Sequence, residues 1–185
     1  VSPHQNDDYY FDVEKPMPDV VITMPSRDNV DQFILTSKNE FIDLLKIFSV
    51  LKKYNMQFGY RVMNEISRYM CNVYKNTTYS ERAVIAMDIQ MLQKILPKFY
   101  GAYDKLWRPL IEILSLCLKT KIDWEPTIDA DELRQSLGTT INVQLQSLEL
   151  SKAQIEELFK YPRSATKIIN MLNDLNSVGF ATFIK

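Results

Sequence analysis

Residues able to carry acid–base, nucleophilic or metal chemistry are few and scattered in this sequence. His4 is the only histidine among the 185 residues. A lone imidazole near the N-terminus leaves most catalytic triads and zinc sites without a required group. Cys71 and Cys117 are the only cysteines, and they are well separated. We therefore expect no catalytic residue and no metal site in this chain.

The placement of the carboxylate pairs and the absence of a phosphate-binding loop lead to the same expectation. Asp7-Asp8 and Glu156-Glu157 are sequence neighbours, and neighbours on a helix point in different directions, so they are poor acid–base partners. The pattern G-x-x-x-x-G-K-[ST], whose backbone cradles nucleotide phosphates, does not occur. The residues alone therefore predict a non-catalytic module.

The cellular setting follows from the cysteines and the hydropathy. Both cysteines lie within apolar helical patterns, which is typical of buried thiols in a reduced intracellular protein. No apolar run approaches the roughly 18 residues of a membrane span, and no signal peptide is visible. We expect a cytoplasmic protein that makes no membrane contact. The first residue is Val1 rather than methionine, which suggests a truncated or processed chain.

Helical spacing of apolar residues dominates the middle of the chain. Hydrophobic residues make up 46% of the sequence and only four glycines occur, a composition that favours helices over a barrel or sandwich. Amphipathic patterns predict helices at about 41–51, 60–74, 84–96 and 103–119. Four such helices joined by short loops predict a bundle over residues 36–120.

Local signals predict where these helices begin and end. At three predicted helix starts a Ser or Thr is followed by Glu or Gln three positions later, the pattern of a capping box, in which two side chains satisfy free amide groups of the first turn. These pairs are Ser37 with Glu40, Thr78 with Glu81, and Ser151 with Gln154. Pro97 and Gly179 predict helix ends, and Pro109 fits the first turn of the fourth helix or a kink.

The two flanks of the bundle are less regular. Residues 1–35 predict an irregular lead-in, with short extended segments at 19–24 and 33–35. Residues 121–185 predict a linker and a helical, winged-helix-like tail. Within it we expect a short helix at 128–137, a strand or loop at 139–148, helices after Ser151 and from Ser164 or Thr166, and a strand at 180–184. The predicted fold is mainly α: a helical bundle with minor β segments and a C-terminal helix-turn-helix-strand unit.

Charge is unevenly distributed along the chain. Residues 36–120 hold thirteen bases and seven acids, whereas both flanks are acidic. A basic segment can face nucleic acid or an acidic partner, but bases spread over several helices are more often a solvated surface, which is the interpretation we prefer.

Three segments resemble the C-terminal region of McrB-like AAA+ proteins, the motor subunits of modification-dependent restriction systems. The first is FGYRVMNEI at 58–66, followed by Arg68 and Tyr69. The second is DIQMLQKILPK at 88–98, closing with Gly101. The third runs from Tyr161-Pro162 to Gly179-Phe180. The resemblance covers about residues 55–185.

The resemblance implies a place in a larger machine. In AAA+ proteins the nucleotide lies between an α/β core, which supplies the phosphate loop and metal-binding acid, and a helical lid. The lid commonly supplies an arginine at the start of a helix, the sensor-2 position, which contacts the phosphates. Arg61 is the candidate here, with Asn64 and Glu65 as possible orienting residues. Alternatively, Arg61 pairs with Glu65 one turn later or covers apolar surface, and Asn64 and Glu65 form a surface polar pair.

For the intact parent, the resemblance implies GTP or ATP hydrolysis with Mg²⁺, assembly into a ring, an McrC-like nuclease partner and action on DNA, with no cofactor in this fragment. The AAA+ core of the same polypeptide and neighbouring ring subunits would be its partners. A stand-alone helical DNA-binding or adaptor protein is the alternative function.

Three further features have structural explanations that we prefer. Lys94 and Lys98 stabilise the C-terminal end of the third helix. The aromatic residues Phe48, Tyr60, Tyr69 and Phe99 are expected in the core rather than in a base-stacking platform. The winged-helix-like tail has few lysine and arginine residues for DNA recognition, so we expect it to pack against the bundle or a neighbouring subunit.

Overall fold

The computed structural model describes residues 27–120 and 150–184. In this part of the chain the fold is mainly helical with one small sheet, which confirms the predicted fold class. The helices are α1 (Arg27–Thr36), α2 (Lys38–Lys53), α3 (Tyr60–Asn76), α4 (Arg82–Gln90), α5 (Tyr103–Leu116), α6 (Lys152–Leu158) and α7 (Pro162–Val178), and the strands are β1 (Tyr100–Ala102) and β2 (Phe180–Thr182). The segments 19–24, 128–137 and 139–148, for which we expected local structure, lie outside the described residues.

Helix α5 is the central helix of the fold. Leu106, Trp107 and every residue from 109 to 115 are buried, and a helix buried on most of its circumference belongs to the core. Helices α2 and α7 pack against it. Pro109 lies inside α5, beyond the first turn, and the helix continues through it.

The expectation of an extended segment at 33–35 is wrong, because these residues lie in α1. Phe33 is fully buried, and its ring meets that of Phe41 edge to face with centroids 5.4 Å apart. Leu35 points to solvent instead. A run of three apolar residues is too short to separate strand from helix, and packing of α1 against α3 decides in favour of the helix.

One of the three predicted capping boxes forms. At α6, the Ser151 hydroxyl accepts from the Gln154 backbone N–H, and the Gln154 side chain accepts from the Ser151 N–H. At α2, Ser37 makes no side-chain cap, because it lies in a one-residue break after α1 and Glu40 pairs with Lys160 instead, at 3.2 Å.

The predicted capping box at Thr78 and Glu81 is also absent. Helix α4 begins at Arg82, so Glu81 occupies the N-cap position itself and makes no side-chain cap. After Gln90 the helix continues as a π-helical turn over Met91–Ile95 and a 3-10 turn over Leu96–Lys98. The helical segment ends after Pro97, as the sequence predicts.

The C-terminal segment is joined to the bundle by backbone hydrogen bonds. Strands β1 and β2 pair antiparallel, with Gly101 opposite Ala181. Gly179 ends α7 in the left-handed conformation at φ 73°, which glycine adopts without strain. The Lys160 N–H donates to the Cys117 carbonyl at 2.7 Å. The described part of the predicted tail, residues 150–184, therefore packs onto the end of α5 and onto the strand that precedes it.

Candidate functional site

Arg61, the residue singled out by sequence, is the second residue of α3. Gly59 is the N-cap of this helix and provides no side-chain cap. The Arg61 side chain is 90% exposed. The start of α3 therefore presents a guanidinium group to solvent, close to the amide groups of the first helical turn.

Arg61 takes part in a three-residue charge network. Its Nε donates to Glu65 Oε1 at 2.9 Å, one helical turn later. The other carboxylate oxygen of Glu65, Oε2, accepts from Lys94 Nζ at 2.6 Å. The hydrogen bond from Lys94, followed by that from Arg61, holds the pKa of Glu65 below its ordinary value. The ion pair that we considered as an alternative is thus present, and contact of Arg61 with phosphate stays a prediction.

The other two members of the sequence-predicted site differ in their placement. Glu65 accepts a hydrogen bond from Arg61, and its role as an orienting residue stays a prediction. Asn64 is half-buried, and within the described residues it takes no part in this network. Lys94 completes the network although sequence reasoning gave it only a role at a helix end; it comes from the π-helical turn after α4.

The expectation that Tyr60 lies in the core is wrong. Its side chain is 89% exposed, whereas Phe99 is fully buried and Phe48 and Tyr69 are partly buried. Tyr60 is the first residue of α3, and the helix turns its buried face, with Ile66 and Met70, the other way. An exposed tyrosine therefore stands directly before Arg61.

Asp88 makes the most extensive buried polar contact in the described residues. Its carboxylate accepts from the backbone N–H groups of Arg163 at 3.0 Å and Ser164 at 2.8 Å, and from the Ser164 hydroxyl at 2.6 Å. The acid thus caps the first turn of α7 from a different helix. The sequence did carry a signal, because Asp88 stands at helical spacing from the apolar Val84 and Met91 and was therefore due to be buried and paired.

A second buried network joins α2 to the turn before α7. Asp43 accepts from Lys160 Nζ and from the Tyr161 hydroxyl, each at 2.8 Å. Partial burial lowers the pKa of Lys160, but the hydrogen bond and charge of Asp43 outweigh it and leave that pKa raised. Burial, and then the charge of Asp43, raise the pKa of Tyr161 far above its ordinary value. Both networks position the C-terminal segment.

A groove of about 550 Å³ lies between α4, α6 and the start of α7. Its apolar lining includes Val84, Ile155 and Phe159, and its charged lining includes Lys160 and Asp88. Those two charged groups already pair within the protein, as described above. Arg61 does not line this groove, so the groove and the sequence-predicted site are different places.

The described residues contain no cluster of histidine, cysteine and acidic side chains that could hold a metal ion. Cys71 and Cys117 are free thiols, both buried, and burial raises the pKa of each. Among the described helices none is both long and apolar enough to cross a membrane.

A family profile, described as the domain of unknown function DUF8727, matches residues 26–180. The chain belongs to this family. The match begins just before α1 and ends at the first residue of β2, and so includes both the bundle and the C-terminal segment. No curated protein and no solved structure shows significant similarity to the chain.

Proposed function

We propose that this chain is the helical lid and C-terminal tail of an AAA+ motor similar to McrB, and that Arg61 contacts the nucleotide phosphates in the intact protein. The observation that carries the proposal is the presentation of Arg61. It lies in the first turn of a helix, is 90% exposed, and is held by a carboxylate one turn later. A guanidinium suits phosphate because its planar fork stays charged and donates two parallel hydrogen bonds.

In this proposal the rest of the catalytic machinery lies outside the chain. The sequence has no phosphate loop, so an α/β core elsewhere in the polypeptide supplies that loop, the metal-binding acid, Mg²⁺ and the site for GTP or ATP. The chain itself hydrolyses nothing. The assembled ring drives an McrC-like nuclease on DNA, in the cytoplasm.

The arrangement of the C-terminal segment supports a lid and tail that act together. Asp88 of α4 caps α7, and β2 pairs with β1 beside α5. Movement of the lid on the nucleotide would therefore carry the tail with it. In the proposal, this coupling transmits the nucleotide state from Arg61 towards neighbouring subunits or the nuclease.

The test is Arg61→Ala in the intact polypeptide, with Arg163→Ala as the matched control. Arg163 is also an exposed arginine at the second position of a helix, α7. Removing a phosphate-contacting donor commonly costs about a hundredfold in turnover. We expect a loss of at least about tenfold for Arg61→Ala and nearly unchanged turnover for Arg163→Ala.

Unchanged hydrolysis in Arg61→Ala would overturn the role of Arg61. An intact gene product without a phosphate-binding loop would overturn the whole proposal and favour a stand-alone DNA-binding or adaptor protein.

A further inference from the structure

The pair of Arg61 and Glu65 is too exposed to hold the guanidinium alone. Ion pairs between exposed side chains at i and i+4 contribute little, because each long side chain loses rotamer freedom and water screens the charges. Arg61 is 90% exposed, so it gains no support from packing. Its position therefore depends on how firmly Glu65 itself is held.

Glu65 is held from a second element. Its two oxygens have separate partners: Oε1 accepts from Arg61 and Oε2 from Lys94, whose Nζ lies 2.6 Å away. Lys94 is itself partly buried, so its side chain loses less rotamer entropy when it pairs with Glu65. Lys94 thus fixes one oxygen of the Glu65 carboxylate, so the other oxygen, which accepts from Arg61, is already oriented.

Lys94 lies in the π-helical turn that follows α4. Such a turn adds one residue to the helical repeat, and each residue of a helix turns the chain by about 100°. Lys94 is the fourth residue of this turn. Its Nζ lies 2.6 Å from Glu65 Oε2. Single π turns occur frequently at functional sites.

From these contacts we infer that Lys94 is a positioning residue for Arg61: it fixes Glu65, and Glu65 fixes the guanidinium. The significance of this role rests on the proposed function, in which Arg61 contacts phosphate. Lys94 itself touches no nucleotide in this scheme. It keeps the Arg61 guanidinium in one orientation before the nucleotide arrives, which lowers the entropic cost of the contact.

The inference is tested in the 185-residue chain by NMR, with the Arg61 Nε–H and the Glu65 side-chain carboxyl carbon as probes. Lys94→Met removes the charge and keeps the length of the side chain. We expect exchange of the Arg61 Nε–H with water to become several-fold faster and the pKa of Glu65 to rise towards its ordinary value. Lys94→Arg should restore both signals. Lys98→Met, at an exposed lysine of the following 3-10 turn, should change neither.

A double-mutant comparison separates positioning from a general loss of structure. If Lys94 acts through Glu65, then Lys94→Met has no further effect on the Arg61 signal when Glu65→Gln is already present. An equal effect in both backgrounds would overturn the inference, as would an unchanged Arg61 signal in Lys94→Met alone.

The NMR measurements detect the contacts among Arg61, Glu65 and Lys94 in the absence of nucleotide. Their outcome is therefore independent of whether Arg61 takes part in hydrolysis. In the intact motor, Lys94→Met should lower turnover less than Arg61→Ala does. Failure of the Arg61→Ala test with a positive NMR result would reject the proposed role of Arg61 in hydrolysis and leave the coupling between Lys94 and Arg61 intact.

Discussion

The Asp88 carboxylate accepts a 2.8 Å hydrogen bond from the backbone N–H of Ser164, and the two residues are 76 positions apart in the chain. The free amide groups at the start of α7 are thus satisfied by a side chain of α4 rather than by a local cap. Tyr161, at the N-cap position of α7, makes no side-chain cap there. This buried acid is thus one of the contacts that connect the bundle to the C-terminal segment.

Asp88→Ala should destabilise the protein by about 2–4 kcal/mol, because it leaves the backbone N–H groups of Arg163 and Ser164 without their acceptor, although the Ser164 hydroxyl keeps the backbone carbonyl of residue 88. Asp88→Asn keeps one acceptor oxygen and should cost less. Denaturant unfolding followed by circular dichroism measures both values. Asp31→Asn, at an exposed acid of α1, is the control and should stay within about 0.5 kcal/mol of the wild type. A loss below 1 kcal/mol for Asp88→Ala would contradict the capping role.

Stability should fall steeply in alkali because of Tyr161. Its pKa is raised in the folded protein, since burial and then Asp43 favour the neutral phenol. The contribution is fully present below the ordinary tyrosine pKa of about 10 and is lost as pH rises above it, at up to about 1.4 kcal/mol per pH unit. Lys160, whose pKa is also raised, loses its contribution in the same direction.

Tyr161→Phe isolates the tyrosine part of this dependence. The variant should lose about 1 kcal/mol at neutral pH, from the hydrogen bond to Asp43, and should show a shallower decline of stability above pH 10. Tyr60→Phe, at a tyrosine that is 89% exposed, should reproduce the wild-type curve. Urea unfolding at a series of pH values measures these slopes, and parallel curves for Tyr161→Phe and wild type would refute the assignment.

The isolated chain should neither hydrolyse GTP or ATP nor bind either nucleotide tightly. It has no phosphate loop, and an exposed arginine alone offers one or two hydrogen bonds that compete with water. Isothermal titration calorimetry in the presence of Mg²⁺ is the appropriate measurement. Micromolar affinity for either nucleotide would show that the chain contains a complete binding site of its own.

The basic segment 36–120 should give little duplex DNA binding near physiological salt. Its bases are dispersed over several helices, and three of them are paired with acids: Lys53 with Glu112, and Arg61 and Lys94 with Glu65. Fluorescence anisotropy of a labelled duplex at two salt concentrations tests this expectation. Low-micromolar binding with a steep salt dependence would indicate phosphate contacts and favour the DNA-binding alternative.

The sequence alone was sufficient for several features that neighbouring residues encode. The apolar spacing predicted α2, α3 and α5, and the pair Ser151 and Gln154 predicted the start of α6. These predictions succeed because helical hydrogen bonds and caps join residues three or four positions apart, so their determinants lie within one or two turns. Gly179 ended α7 for the same local reason.

Other features were decided only by tertiary structure. Phe33 is helical because α1 packs against α3. Glu40 pairs with Lys160 instead of forming the predicted capping box. Tyr60 is exposed, although its residue type suggested the core. Around Arg61, the sequence supplied Glu65 at helical spacing, but Lys94, which also pairs with Glu65, lies 29 residues later in a π-helical turn. Such contacts depend on which surfaces become buried together, and no local pattern of residue types specifies that.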